Sequence, residues 1–324
     1  MKIAFLLYPT TSVKVDEDSS FWIMHELDRR GHEVSHFESK DLFWGGGHVL
    51  AVLSSSQTHP RKGFIGTKKH SMSTSLDALD AIFIRKEPPF DNEYLYALQL
   101  LSLLDKRVFV LNDPVGIAMC NEKLFILELE KFIPESFVSG RPEELRKFIR
   151  SLGSKVVVKP LNNKGGAGIF VTSARDRNLP SLLEQMTKNG SQKVMAQRHI
   201  PHDMQGDKRI LLLEGDLLGC FVRRPSKADF RANLSVGGTM RRAALSARDG
   251  QILRELKPRL LKNGLHFVGI DVIGGYLSEV NVTSPSGIPE IRQLIGQRLE
   301  KKVADFIERS VGRRHCARSR PARP

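Results

Sequence analysis

The spacing of apolar positions changes several times along the chain, and each change marks a different kind of element. Ile3-Ala4-Phe5-Leu6-Leu7 is an unbroken apolar run, the pattern of a strand buried on both faces of a parallel sheet. Residues 19–30 then follow a helical period, with Asp18 or Ser19 placed to cap the start and Gly31 to end it. A strand is predicted at 34–37, and the Gly/Ser/Thr/Lys-rich stretch 45–75 reads as loop. Residues 81–84 form another buried strand, Asn92 caps a helix running to Leu104, and a strand at 108–111 stops at Asn112-Asp113-Pro114. Such alternation predicts a layered α/β unit with a largely parallel sheet.

From Asn121 the pattern changes to a short capped helix at 122–130, a strand near Phe137, a helix from Pro142 and a strand Val156-Val157-Val158-Lys159 entering a glycine loop. From Asp207 two strands meet at Glu214-Gly215-Asp216, followed by a polar, glycine-bearing segment at 225–240. A helix at 246–263, strands at 266–273 and 277–282 and an amphipathic helix around 292–309 complete the pattern. The division expected is 1–120, 121–200, 201–311 and a basic disordered tail at 312–324.

Composition narrows the function classes. The chain has 324 residues, 40% of them hydrophobic, which is enough for several packed units. Its opening apolar run is too short for a signal-peptide core, and no stretch is long enough to span a bilayer. Three widely spaced cysteines suit a reducing cytoplasm. The formal charge of +14 is compatible with a nucleic acid or a polyanionic small substrate. Arg313, Arg314, Arg318, Arg320 and Arg323 concentrate part of it in the terminal segment, which reads as a solvated tail rather than an RNA-binding arm.

The richest chemistry lies in Val268–Val282. Asp271, Glu279 and Asn281 share one sheet face if Gly274-Gly275-Tyr276 form a three-residue turn, whereas a two-residue turn would put Asp271 and Glu279 on opposite sides. Two carboxylates and a carboxamide, without histidine or thiolate, suit a hard divalent ion such as Mg²⁺ that also takes phosphate oxygens. Lys159 ends a buried strand just before Gly165-Gly166-Ala167-Gly168, where small residues let backbone N–H groups approach an anion. Lys123, Arg209 and Arg223 are further cations that could stabilise a phosphoryl group in transfer. The glycine loop is neither a Walker A nor a dinucleotide-binding fingerprint. There is also no His-Glu-x-x-His, Gly-x-Ser-x-Gly or Cys-x-x-Cys motif, which leaves no sign of zinc or nucleophilic side-chain catalysis.

Taken in order, D-S-S-F (18–21), R-K-E-P-P-F-D (85–91), N-E-K-L-F (121–125), V-K-P (158–160), G-G-A-G (165–168), M-A-Q (195–197), G-D-K-R (206–209), G-I-D-V-I-G (269–274) and E-V-N-V-T-S-P (279–285) resemble the prokaryotic glutathione synthetases. The resemblance runs from the first strand to about residue 310. It implies an ATP-grasp fold, α/β and α+β, preceded by a layered α/β domain. It places ATP on Lys123, Lys159, Gly165, Gly166 and Asp207, with the adenine near Gln197, Arg198, His199 and Ile200. It further implies that Asp271, Glu279 and Asn281 hold two Mg²⁺ ions, with Mn²⁺ as a substitute. Arg209 and Arg223 face the transferred phosphoryl, and 225–240 form a lid contributing Arg231 and Asn233. The implied reaction joins γ-glutamylcysteine and glycine through an acyl phosphate, with release of ADP and phosphate, in a cytoplasmic homotetramer with no membrane or nucleic-acid partner. Two alternatives stand beside it: a related carboxylate–amine ligase using another substrate pair, suggested by a lid poor in glycine and by Pro289 before Glu290, and a non-catalytic nucleotide- or RNA-binding protein.

Overall fold

A computed structural model describes residues 1–69, 73–201, 206–226 and 237–316. The first unit contains β1 (Lys2–Leu6), α1 (Ser19–Arg29), β2 (Glu33–Phe37), β3 (Leu42–Gly45), β4 (His48–Ala51), β5 (Ser54–His59), β6 (Gly63–Lys69), β7 (Thr74–Ser75), β8 (Ala81–Ile84), α2 (Asn92–Leu101), β9 (Phe109–Leu111) and α3 (Pro114–Met119). Its main sheet has the order β6-β5-β2-β1-β8-β9, with β1, β2, β8 and β9 parallel and β5 and β6 antiparallel at one side. Asp18 caps α1 through Phe21 N, and Asp91, one residue before the expected Asn92, caps α2 through Tyr94 N.

The stretch expected to be loop, 45–75, instead forms strands. Its β3–β4 hairpin turns on Gly46 and Gly47, both at positive φ, and pairs with β7 in a small separate sheet. Strand β5 is mostly hydroxyl-bearing, so it lacks the apolar alternation that marks a strand in sequence. Polar side chains hold it: His36 Nδ1 lies 2.6 Å from Ser56 Oγ, and His25 Nδ1 lies 3.1 Å from Thr58 Oγ1.

A second sheet, β10-β13-β11-β12, comes from β10 (Ser136–Ser139), β11 (Val156–Pro160), β12 (Phe170–Thr172) and β13 (Val194–Arg198), with α4 (Pro142–Leu152) and α5 (Leu179–Met186) packed on it. Leu145, Ile149, Val156, Val158, Leu179 and Leu183 form a core of their own there. The expected helix at 122–130 is a 3-10 segment, Phe125–Phe132, preceded by Asn121, whose Oδ1 accepts from Lys123 N and Leu124 N.

The third sheet, β16-β15-β14-β17-β18, is wholly antiparallel: β14 (Asp207–Leu213), β15 (Asp216–Arg224), β16 (Thr239–Arg242), β17 (Phe267–Ile273) and β18 (Tyr276–Asn281). Helix α6 (Ala247–Lys262) precedes β17 and is capped reciprocally by Ser246 and Asp249. The single helix expected at 292–309 is two, α7 (Ile288–Ile295) and α8 (Leu299–Cys316), separated at Gly296, which has φ 72°. Helix α8 carries residues 312–316, so this part of the expected tail is helical. Arg314 donates to the carbonyls of Lys106 and Val108 and lies over the Phe109 ring. None of the described helices is long and apolar enough to cross a membrane.

The first and third units share apolar cores: Leu6, Ile84 and Leu98 cluster with Ile210, Val268 and Val280, and Ile3 and Phe83 with Phe267 and Ile307. At their seam Asn112, 2% exposed, uses its whole amide. Its Nδ2 donates to the carbonyls of Phe267 and Val282, and its Oδ1 accepts from His266 N and Phe267 N. Asn112→Ala strands those four backbone groups out of reach of water. It is expected to cost about 3–5 kcal/mol, read as a lower urea midpoint at unchanged m-value.

Candidate active site

Strands β17 and β18 meet in a two-residue turn, Gly274–Gly275, with both glycines at the positive φ that such a hairpin requires. Ile273 therefore faces Tyr276, and Val272 faces Leu277. The expected three-residue turn is absent. The register nevertheless shifts between Asp271 and Val272, leaving Ser278 as an extra residue, and this bulge returns Asp271 to a position opposite Glu279 and Gly269 to one opposite Asn281. The acidic row is thus assembled by a device that simple strand alternation does not reveal.

The same row continues across the sheet. Arg209 on β14 stands beside Asp271, and Asp207 stands beside Arg223 on β15. Arg209 donates from Nε to Asp271 Oδ1 at 2.7 Å and from Nη2 to Oδ2 at 3.1 Å. Arg223 Nη2 lies 2.5 Å from Asp207 Oδ2 and 2.8 Å from Asp271 Oδ1. Burial alone would raise the Asp271 carboxyl, but Arg209 and then Arg223 outweigh it and hold the group ionised, well below the usual carboxylate range. Asp207 is pushed up to about 6 by burial and by the negative charge of Asp271, against the pull of Arg223. Asp207 Oδ1 and Arg223 Nε are buried without a hydrogen-bond partner. Strongly perturbed acids and unpaired polar atoms in one cleft mark a site shaped for a ligand.

Lys159, 3% exposed, reaches this row from the second sheet. Its ammonium donates to Gln197 Oε1 and to the carbonyl of the bulged Ser278, both at 3.2 Å. Burial lowers it from 10.5 to about 8, aided by repulsion from Lys123 and opposed by Glu279. Lys123 donates to the carbonyl of Asn163 at 2.7 Å and lies 3.7 Å from Glu279. It therefore holds the base of the glycine loop and stands beside two residues that line the cleft, Glu279 and Lys159. Gly165 and Gly166 adopt positive φ on the rim.

Most sequence-derived candidates converge. Lys159, Gly165, Gly166, Gln197, Arg198, His199, Ile200, Asp207, Arg209, Arg223, Asp271, Glu279 and Asn281 line one cleft of about 1000 Å³. Arg198 contributes backbone, because its guanidinium turns away to Glu135. Arg231 and Asn233 lie outside the described residues. Sequence reasoning gave no role to the cleft's apolar walls, Val157, Ile169, Ile273 and Tyr276, whose only signal is membership of the surrounding strands and loop, nor to Glu122 and Lys164. Glu122 Oε1 accepts from Val282 N, Thr283 N and Thr283 Oγ1, fixing the backbone just beyond Asn281.

As a cation site the row offers oxygen only. Among the described residues no group of three or more His, Cys, Asp or Glu side chains stands ready to hold a metal. Two carboxylates and one amide beside lysines fit an ion that takes its remaining ligands from phosphate and water. Asn281 now turns its Nδ2 toward Gly269 O and Asp271 Oδ2, so metal ligation requires the opposite amide orientation.

A second cavity, of about 1740 Å³, joins the cleft through Glu122, Lys164, Gly165, Arg209, Arg223 and Asn281. It opens toward the first unit and is lined there by Tyr8, Asp18, Ser19 and Arg85. The site therefore has two chambers, one with a lysine and a glycine loop and one with mixed charges, meeting at a pair of arginines.

Known proteins resemble this chain in sequence and in fold. The family description "Prokaryotic glutathione synthetase, N-terminal domain" matches residues 1–117, and "Prokaryotic glutathione synthetase, ATP-grasp domain" matches residues 122–296. A glutathione synthetase from Nostoc sp. is 38% identical over 321 residues, covering 96% of this chain and 99% of that protein. One from Synechocystis sp. is 40% identical over 319 residues, covering 95% and 99%. Among solved structures, the D-cycloserine synthetase DcsG superposes with a TM-score of 0.66 at 13% identity, covering 94% of this chain and 99% of that one. A RimK domain ATP-grasp protein from Sphaerobacter thermophilus gives 0.61 at 15%, covering 95% and 99%. These likenesses establish the ATP-grasp fold, and the matched domains and relatives together show that the chain belongs to the prokaryotic glutathione synthetase family.

Proposed function

We propose that the chain is an ADP-forming glutathione synthetase, joining the C-terminal carboxylate of γ-glutamylcysteine to the amine of glycine at the expense of ATP. The observation that carries this reading is the meeting of the two chambers at Arg209 and Arg223, beside the Asp271–Glu279–Asn281 row and Lys159. The apolar-walled chamber takes the nucleotide, with Lys159 and the glycine loop on its phosphates. Asp271, Glu279 and Asn281 hold Mg²⁺, two ions on this reading, and Mg²⁺ supplies neutralising charge to the phosphate oxygens.

Arg209 and Arg223 orient the acyl carboxylate toward the γ-phosphorus and stabilise charge on the phosphoryl in transfer. An oxygen of that carboxylate forms the new P–O bond as the bond to ADP breaks. Glycine nitrogen then attacks the activated carbonyl, the C–N bond forms, and phosphate leaves. Enclosure by the first unit keeps water from the acyl phosphate. The reading includes a cytoplasmic homo-oligomer, a tetramer by resemblance.

The direct test is phosphate release and product identification with ATP, Mg²⁺, γ-glutamylcysteine and glycine, each omitted in turn. Glutathione should form only in the complete mixture, and ADP release with another acyl–amine pair but not this one would favour a related ligase. Asp271→Asn and Glu279→Gln are expected to lower kcat by about 10²-fold or more. Asp271→Asn should also lower thermal stability, since two buried guanidiniums lose their shared anion. Lys159 supplies a pH signature. In the free protein its ammonium is lost above about pH 8, whereas phosphates beside it favour the charged form. Nucleotide binding should therefore take up protons between about pH 8 and 10.5 and weaken as pH rises through that window, measurable by calorimetry in buffers of different ionisation enthalpy.

A further inference from the structure

Five acids line the second chamber, none of them used by the proposed chemistry, and Glu290 differs from the other four. Glu290 stands in the first turn of α7, directly after Pro289, and is 8% exposed. It lines this chamber but not the nucleotide cleft. Its Oε2 is buried with no hydrogen-bond partner among the described residues. The other acids on the chamber wall are engaged: Asp18 accepts from Phe21 N and Tyr8 Oη, Glu17 lies 3.3 Å from Lys14, Glu87 pairs with Lys164, and Glu122 holds Val282 and Thr283. Burial raises the Glu290 carboxyl, against the pull of Arg209 and Arg223. A buried carboxylate oxygen without a donor is costly, and a cationic donor is the ligand group that best relieves it.

Resting on the ligase reading above, we propose that Glu290 receives the α-ammonium group of the γ-glutamyl head and makes the enzyme selective for acyl substrates with a free amino group. The substrate's reacting carboxylate lies at Arg209 and Arg223, where the chambers meet, so the rest of the molecule extends into the second chamber. Glycine's nitrogen is a poorer occupant of Glu290. It must reach the activated carbonyl at the junction, and Glu290 lies on the chamber that is set back from the nucleotide.

The test compares γ-glutamylcysteine with N-glutarylcysteine, the same chain with hydrogen in place of the α-amino group, in the full-length wild type and in Glu290→Gln. For γ-glutamylcysteine, Glu290→Gln should lower kcat/KM by about 10- to 100-fold, mainly through KM. For N-glutarylcysteine the wild type and the variant should be alike, and KM for glycine should not move. Equal losses on both acyl substrates would mean that Glu290 only supports the fold, and a raised KM for glycine with γ-glutamylcysteine unaffected would assign Glu290 to the amine. Either result overturns the proposal, as does no change at all. If Glu290→Gln does not fold, Glu290→Asp, which withdraws the carboxylate by one methylene, is read in the same way. Wild-type inactivity on γ-glutamylcysteine would sink the glutathione synthetase reading itself, and with it this inference.

Discussion

Everything in the site leans on Asp271 being shared by two arginines. Burying two guanidiniums is unfavourable unless anions accompany them, and the sheet register supplies those anions by placing Asp271 beside Arg209 and Asp207 beside Arg223. Strand side chains have fixed directions, so the four groups cannot spread apart to relax. The result is a compact charge cluster in which each arginine already has its carboxylate. On the proposed reading, ligand entry is an exchange: the carboxylates would turn from the guanidiniums to a divalent cation, while Arg209 and Arg223 take phosphoryl and acyl oxygens in their place. Such an exchange costs less than stripping water from bare charges, because the protein has already desolvated them.

How far the sequence revealed this depended on the kind of signal involved. The parallel strands of the first unit and the two long strands around Glu214 were legible because buried strands read as apolar runs and turns as glycine. Strand β5 was not, because Ser56 and Thr58 are buried through hydrogen bonds to histidines and leave no apolar stripe. The acidic row was legible as residue types, yet the turn length thought necessary for it was wrong, and the bulge at Ser278 compensated. A bulge has no signature in hydropathy: it follows from which backbone groups find partners, and here the Ser278 carbonyl finds the Lys159 ammonium. Glu290 illustrates the same limit. The sequence pattern starts the last helix at about 292, beyond Glu290, so its place in the first turn of α7 was not legible, and its lack of a partner depends on what the other units pack around it.

The three units are not equally independent. The first and third share continuous apolar clusters and are joined by the Asn112 amide. The loop before α7 is held from the first unit as well: Ser19 Oγ accepts from Gly287 N and Ile288 N, and Arg85 donates to Ser20 Oγ and to the Pro285 carbonyl. Arg209 grips the same loop through the Ser286 carbonyl. The segment that carries Glu290 is therefore fixed to the arginine cluster and to the first unit together, which makes the second chamber a rigid seat.

The middle unit has a core of its own and also lends Phe125, Ile126, Leu129 and Met195 to the core shared by the other two, so it meets them through apolar as well as polar contacts. Among its polar contacts with them, Lys159 touches Ser278, Lys164 pairs with Glu87, and Phe90 N donates to Asn162 O. Two of these three contacts fall on the glycine loop and its approach, so the piece that would cover phosphates is also pinned to the first unit. Polar contacts of this kind exchange readily for ligand oxygens, whereas apolar cores do not. On the proposed reading, opening of the nucleotide chamber would thus begin with release of the loop, while the arginines, the acidic row and the second chamber keep their geometry. That division suits a two-step ligation: the acyl group stays in one rigid seat through both bond changes, and only the nucleotide side has to open for ADP to leave.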